Sequence, residues 1–488
     1  MTDLRRRTKI VATLGPASDP PLVLDALLRA GVNVVRLNFS HGDPSEQIAR
    51  ATAVRESAAR LGLEVGILVD LPGPKIRIGT FAEGRVELHA GDRFDLIARA
   101  DAPPGDATEV AVSYLGLPND VGSGDVLLLD DGLVQLRVMS VEGDRIITTI
   151  LNEGVLSDRK GLNKQGGGLS LGALTPRDHE LIAVAVEMRA DFIAVSFCRN
   201  ADDMNEARRL IQQNGGFAAV VAKIERAEAT SNLAEIVDAS DVVMVARGDL
   251  GVEIGDAELP GIQKRIIREA LAQNKVVITA TQMLQSMVES PIATRAEVLD
   301  VANAVIDGTD AVMLSAETAA GDYPVLAVET MARICLGAER QFGAEIDFGK
   351  APRNLEYVDQ AIAMATMFLS QHIGVSAIVA MTESGSTARF LSRFRTGTLI
   401  YAFCRYDYVR RQMLLMRDVF PIDYQQKGQT ARQAARDSIR QLADAGFLKS
   451  GDRVTFTSGE SMDMHGATNT LRLLQVGPDG WAQGLGDL

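Results

Sequence analysis

Eight short runs of β-branched and other apolar residues recur over the first two thirds of the chain, at 8–14, 33–39, 65–71, 191–197, 218–224, 241–246, 275–280 and 310–315. Amphipathic stretches of helical length, such as 45–61 and 260–273, stand between most of them. Strands buried on both faces read as near-continuous apolar runs, and strand–helix alternation repeated eight times predicts a (β/α)8 barrel. A barrel uses roughly 250 residues, so a chain of 488 has room for more.

One crossover is far too long for a helix alone. Residues 73–170 turn glycine-rich and strand-like, with pieces at 86–88, 93–96, 125–129, 133–139 and 145–150 punctuated by Gly91-Asp92, Gly124-Asp125, Asp131-Gly132 and Gly143-Asp144. This predicts a small β-barrel domain inserted after the third barrel strand. The chain returns at Thr175-Pro176-Arg177-Asp178, a capping box with proline in the first helical position. Beyond about 338 the alternation resumes with a helix at 355–370, strands at 377–381, 398–404, 454–457 and 471–476, and helices at 387–394 and 430–445. That pattern fits an open doubly wound α/β sheet. The expected domains are 1–71 and 171–338 for the barrel, 72–170 for the inserted lid, and 339–488 for the C-terminal domain, with a weakly marked linker at 342–354.

Composition narrows the function. The apolar fraction of 46% and charged fraction of 23% exclude a disordered or fibrous chain. A net charge of −14 argues against a nucleic-acid surface, so an anionic ligand needs a local cationic cluster. Cys198, Cys335 and Cys404 are odd in number and far apart, predicting neither disulfides nor structural zinc. The basic stretch 1–9 has no apolar segment behind it, and no run of 18 apolar residues occurs, so the expected location is the cytoplasm, with no membrane contact.

In a barrel, the chemistry sits at the carboxyl ends of the strands. Those ends carry Arg36, Asn38, Ser40 and His41; Asp70; Lys223 and Glu225; Arg247, Gly248 and Asp249; Thr281; and Ser315. Glu225 and Asp249 could clamp a divalent ion, while Lys223, Arg36 and Arg77 offer fixed charge to phosphate oxygens. This set, without a nucleophilic Ser or Cys, suits phosphoryl transfer better than hydrolysis. Gly248-Asp249-Leu250-Gly251 could open a short helix whose N–H groups face an anion, with Thr281 beside it. GxxxxGK[ST], GxGxxG and HExxH are all absent. A nucleotide would therefore fall to side chains such as Arg77, Lys160 and His41.

Residues 8–18 (TKIVATLGPAS), 36–42 (RLNFSHG), 73–77 (GPKIR), 244–251 (MVARGDLG), 280–284 (ATQML), 294–297 (TRAE), 300–305 (DVANAV) and 321–324 (GDYP) together resemble pyruvate kinases. The resemblance implies that Arg36 and Lys223 grip the phosphoryl group of phosphoenolpyruvate. It places Mg²⁺, or Mn²⁺, on Glu225 and Asp249, and the substrate carboxylate on Gly248, Asp249 and Thr281. ADP or ATP would meet Asn38, His41, Arg77 and Lys160, and Thr281 and Ser315 would serve the proton relay that completes pyruvate. The family's potassium site falls on Asn38, Ser40 and Asp70, yet Leu71 stands where it has Thr and Lys75 where it has Glu. A lysine ammonium can replace a monovalent cation, so K⁺ is expected to be dispensable.

In the last domain, Thr382, Ser384, Gly385, Ser386 and Thr387 lie between a strand and a helix and form a plausible phosphate cradle. Arg389, Arg393, Arg395 and Arg405 add charge nearby. Similar loops in pyruvate kinases hold an allosteric sugar phosphate, so a sugar phosphate or AMP activator is expected, and the resemblance also implies a homotetramer. Two rival readings stand beside this one, a metal-dependent aldolase on the same barrel and a catalytically silent, metabolite-sensing paralogue.

Overall fold

In the computed structural model, which describes residues 5–341, 355, 357–394, 396–425, 429–459 and 468–484, the eight apolar runs become eight parallel strands. They are Lys9–Thr13, Val34–Asn38, Gly66–Asp70, Phe192–Val195, Ala219–Ile224, Val242–Ala246, Val276–Ala280 and Ala311–Leu314. Each pairs with its neighbours in sequence, and the first closes on the last with Lys9 opposite Ala311. Their residues are buried almost throughout, which is why the sequence shows runs and not alternation. Helices such as Pro44–Leu61 and Leu259–Ala272 cover the outside.

The chain leaves the barrel at Gly73, whose φ of +61° favours glycine and where a Cβ would stand only 3.0 Å from Ser196 Cβ. The insertion pairs as a six-stranded sheet and a two-stranded ribbon around its own apolar core. The expected capping box is present: Thr175 and Asp178 cap each other at the start of helix Pro176–Glu187. Asp178 Oδ1 also accepts the Gly73 N–H at 3.1 Å. One carboxylate therefore holds both crossings between barrel and lid.

The C-terminal unit is a six-stranded sheet in the order Val419–Asp423, Leu399–Cys404, Ala377–Met381, Arg453–Gly459, Thr468–Val476 and Ala482–Gln483, parallel over the first four. It docks on the amino-terminal end of the barrel. A single apolar cluster runs from barrel residues such as Val11, Phe192 and Met244 to Met367, Leu391 and Met413. Polar contacts frame it: Arg411 Nε reaches Asp191 at 2.7 Å, Arg393 Nη1 reaches Asp310 at 2.9 Å, and Lys9 Nζ donates to the Val419 carbonyl at 2.5 Å. The opposite barrel end stays free. The three cysteines are unpaired and buried. Among the described residues no helix is long and apolar enough to cross a membrane. The expected linker at 342–354, and Arg395, lie outside the described residues.

Candidate active site

The free end of the barrel gathers the charges that the strand ends supply. Arg36, on the second strand, meets Asp70, on the third, through Nε and Nη2 at 2.7 and 2.6 Å, and donates to Thr13 Oγ1 at 3.1 Å. Lys223, on the fifth, lies between Asp70 Oδ1 at 3.1 Å and Glu225 Oε1 at 2.8 Å, and donates to Ser196 Oγ at 2.7 Å. The second oxygen of Glu225 accepts the Phe197 N–H at 2.9 Å. Asp70, Lys223 and Glu225 are buried and Arg36 is partly so, and each depends on the others for its charge.

Burial opposes ionisation of Asp70, but Lys223 and Arg36 outweigh it and hold its carboxyl below the usual range. Burial likewise opposes the Lys223 ammonium, and Asp70 and Glu225 more than restore it, raising its pKa. Glu225 goes the other way. Burial pushes its carboxyl up, Lys223 pulls it down, and the negative charges of Asp249 and Asp70 push it up again. A divalent cation between Glu225 and Asp249 would relieve that crowding. Two carboxylates with remaining positions left to water and substrate oxygens suit the hard, octahedral preference of Mg²⁺. Among the described residues no group of three or more His, Cys, Asp or Glu side chains forms a metal cage, so the residues fit a shared site and not a closed one.

Beside this cluster, the sixth strand runs directly into helix Arg247–Ile254. The Gly248 N–H donates to Thr281 Oγ1 at 2.9 Å, and that hydroxyl donates to the Ala280 carbonyl. Thr281 and Gln282 both adopt left-handed backbone, at φ +67° and +53°. For a β-branched residue this costs on the order of 1–3 kcal/mol. Arg247 holds the turn, donating to the Ala280 and Thr281 carbonyls while clasping Asp300 at 2.7 and 2.8 Å. Ser315 Oγ is buried and has no hydrogen-bond partner.

Other singled-out residues are placed differently. The Asn38 side chain caps its own loop, accepting the Ser40 N–H at 3.1 Å, and Ser40 and His41 are exposed. Arg77 donates to the Arg159 carbonyl at 3.0 Å and bridges Gly161, next to Lys160, whose ammonium pairs with Asp130 at 3.0 Å. Lys75 turns toward Asp249, at 3.3 Å, while the charges paired with Asp70 are Arg36 and Lys223.

In the C-terminal unit, the Gly385 N–H donates to Thr382 Oγ1 at 2.9 Å, Ser384 Oγ to Ser386 Oγ at 3.1 Å, and Thr387 shares a 2.7 Å hydrogen bond with Thr468. Arg393 faces Asp310 and Arg405 pairs with Glu383, so neither is spare charge for the cradle.

Sequence reasoning missed the groups that fasten the lid to the barrel. Arg226 donates to the Leu169 carbonyl at 2.7 Å, Glu228 accepts the Gly168 N–H, and Glu253 Oε2 accepts the Ala227 N–H at 2.9 Å beside Asn163. Burial lifts the Glu253 carboxyl to about 7. Arg226, directly after Glu225, was the available signal, since a buried arginine demands acceptors.

A barrel closed at one end by a docked unit, with paired carboxylates and two fixed cations at the other, defines a phosphotransferase. The profile of the pyruvate kinase barrel domain matches residues 5–328, and that of the pyruvate kinase alpha/beta domain matches 360–474. Pyruvate kinase II of Salmonella typhimurium is 51% identical over 475 residues, covering 96% of this chain and 99% of its own. A pyruvate kinase of Haemophilus influenzae is 48% identical, covering 95% and 97%. The crystal structure of a pyruvate kinase from Cryptosporidium parvum superposes with a TM-score of 0.90 at 33% identity, covering 96% of each chain. The chain belongs to the pyruvate kinase family.

Proposed function

We propose that the chain transfers the phosphoryl group of phosphoenolpyruvate to ADP, giving pyruvate and ATP, the last step of glycolysis in the cytoplasm. The carrying observation is Lys223, buried at the barrel mouth between Asp70 and Glu225 with Arg36 across the same aspartate. Two immobile cations are what a phosphoryl group in transit needs, because its transfer depends on positioning and charge neutralisation. Arg36 and Lys223 grip that group. The Gly248 and Asp249 end of helix Arg247–Ile254, with Thr281, receives the substrate carboxylate. Glu225 and Asp249 would hold Mg²⁺ or Mn²⁺, which when bound would supply positive charge to neutralise substrate oxygens.

Asn38, His41, Arg77 and Lys160 line the approach of the nucleotide, with Arg77 bridging Gly161 beside Lys160 where the lid meets the barrel. The lid, tied at Gly73 and Thr175 through Asp178, excludes water so that ADP is the acceptor. Thr281 and the unpartnered hydroxyl of Ser315 hold the water that protonates the enolate carbon. The resemblance to pyruvate kinases carries with it assembly as a homotetramer.

Lys75 brings a unit positive charge to the mouth, in place of a monovalent ion on Asn38, Ser40 and Asp70. Pyruvate should form from phosphoenolpyruvate and ADP with Mg²⁺ at the same rate in K⁺ as in Na⁺. Absence of pyruvate would overturn the function, and a rate that collapses in Na⁺ would overturn the role of Lys75.

The cradle Thr382, Ser384, Gly385, Ser386 and Thr387 takes a phosphorylated activator, a sugar phosphate or AMP. Gly385 suits it: its φ is +80° and a Cβ there would stand 3.2 Å from Met413, so the turn into helix Ser386–Arg393 calls for glycine. Ser384→Asp places a carboxylate in the cradle and is expected to abolish activation while leaving the unstimulated rate within about twofold, since surface changes away from the chemistry are small. Activation that survives in this variant places the effector elsewhere.

A further inference from the structure

The barrel base and the C-terminal unit do not meet flush. A cavity of 240 Å³ lies between them, with Arg208, Phe217 and Asp241 on the barrel side and Ser384, Arg389 and Met413 on the other. Its charges do not balance. Arg208 is satisfied, donating to Asp241 Oδ2 at 2.8 Å and the Ala239 carbonyl at 2.9 Å. Asp241 Oδ2 also accepts the Val220 N–H at 2.9 Å. Arg393, one turn beyond Arg389 in helix Ser386–Arg393, is committed to Asp310 and the Lys275 carbonyl. Lys275 Nζ is spent on the carbonyls of Asp238 and Ser240. Arg389 Nε is left buried with no partner.

The crowding is visible in the titration of these groups. Burial lowers the Arg389 pKa; Asp241 pulls it back up, and the charge of Arg393 adds to the lowering more than Asp359 opposes it. Burial, followed by the charge of Arg389, lowers that of Lys275, opposed by Asp241 and Asp238. A buried guanidinium nitrogen without a hydrogen-bond acceptor is a standing cost that a bound anion would remove.

We propose that this interdomain cavity is a binding site for a small phosphate, held by the Arg389 guanidinium with Arg208 opposite, which ties helix Ser386–Arg393 to the barrel base. Planar guanidinium forks match phosphate oxygens, and the volume accommodates a phosphate with a small ester body against the Phe217 and Met413 walls. The site stands apart from the Thr382–Thr387 cradle, sharing only Ser384 at its rim, and does not depend on the activator reading.

Hydrogen exchange on the full chain tests it, with inorganic phosphate and glycerol phosphate as separate probes. Phosphate should slow exchange about tenfold in helices Ser386–Arg393 and Ala201–Gln213. Arg389→Met should lose that slowing while keeping any change at the barrel mouth, and its Tm without phosphate should be no lower than the parent's, because an apolar side chain replaces an unpaired buried charge. Ser386→Ala, in the cradle, should keep the slowing. If only glycerol phosphate slows exchange, the site takes esters; if both do, it takes the phosphate group alone, and either supports the proposal. No slowing in the parent with either probe, slowing that persists in Arg389→Met, or a variant whose Tm falls because the arginine is a structural anchor would each overturn it.

Discussion

Replacing Lys223 by methionine is expected to lower kcat for pyruvate formation by about 10³-fold or more, the scale on which a single fixed charge acts on a transferring phosphoryl group. Methionine keeps the length of the side chain and removes its charge. Arg36 remains on the other side of Asp70, so substrate binding should weaken far less than turnover, and the loss should fall on kcat more than on KM. The same change leaves Glu225 buried without a cation. Removing one partner of a buried pair costs about 3–5 kcal/mol, so calorimetry should show a lower Tm alongside the lost rate. Partial rescue of Tm by Glu225→Gln in the same chain, without return of activity, would separate the two effects. A Lys223→Met rate within tenfold of the parent would remove the residue from the chemistry.

The second large effect is expected at Glu225. Glu225→Gln removes the charge of a proposed metal ligand, and the Mg²⁺ concentration for half-maximal activity should rise about 10²-fold. The pH dependence follows from the raised carboxyl of Glu225. A group whose pKa is higher folded than unfolded stabilises the fold below the ordinary glutamate value and loses that contribution as pH rises through the folded one. Mg²⁺ binds the ionised form, so the rise in Tm that it brings should grow from pH 5 to pH 8 in the parent and stay flat in Glu225→Gln. An unchanged Mg²⁺ midpoint, or a variant that retains the pH-dependent gain, would refute the assignment.

The barrel was legible because parallel strands buried on both faces write themselves as apolar runs, and each of the eight falls within its expected range by a residue or two. The C-terminal strand Val419–Asp423 was not expected; it carries Pro421 and lies at the sheet edge, the one place where a strand tolerates proline. The short lid strands Glu109–Ala111, Gly154–Ser157 and Leu162–Lys164 are too brief to show a period. At the site, strand ends pointed to Arg36, Asp70, Lys223, Glu225 and Asp249, since topology alone converges them. Pairings between distant segments were not legible. Nothing local to Lys75 announces Asp249 as its partner, nor does Arg393 announce Asp310, because side-chain partners are chosen by packing that sequence order does not encode.

The docking of the C-terminal unit on the barrel base has a mechanical consequence. Asp191, which takes Arg411, precedes the strand Phe192–Val195, and the next residue, Ser196, is the acceptor of Lys223. Asp310, which takes Arg393, precedes the strand Ala311–Leu314, which Ser315 follows. Lys9, on the Val419 carbonyl, begins the strand that ends at Thr13, the acceptor of Arg36. Each is a stiff rod about 13–17 Å long, gripped at one end by the C-terminal unit and reaching the barrel mouth at the other. A tilt at the base would be delivered along these three spokes to the mouth as a change of aim, which would make this barrel a transmission as well as a scaffold.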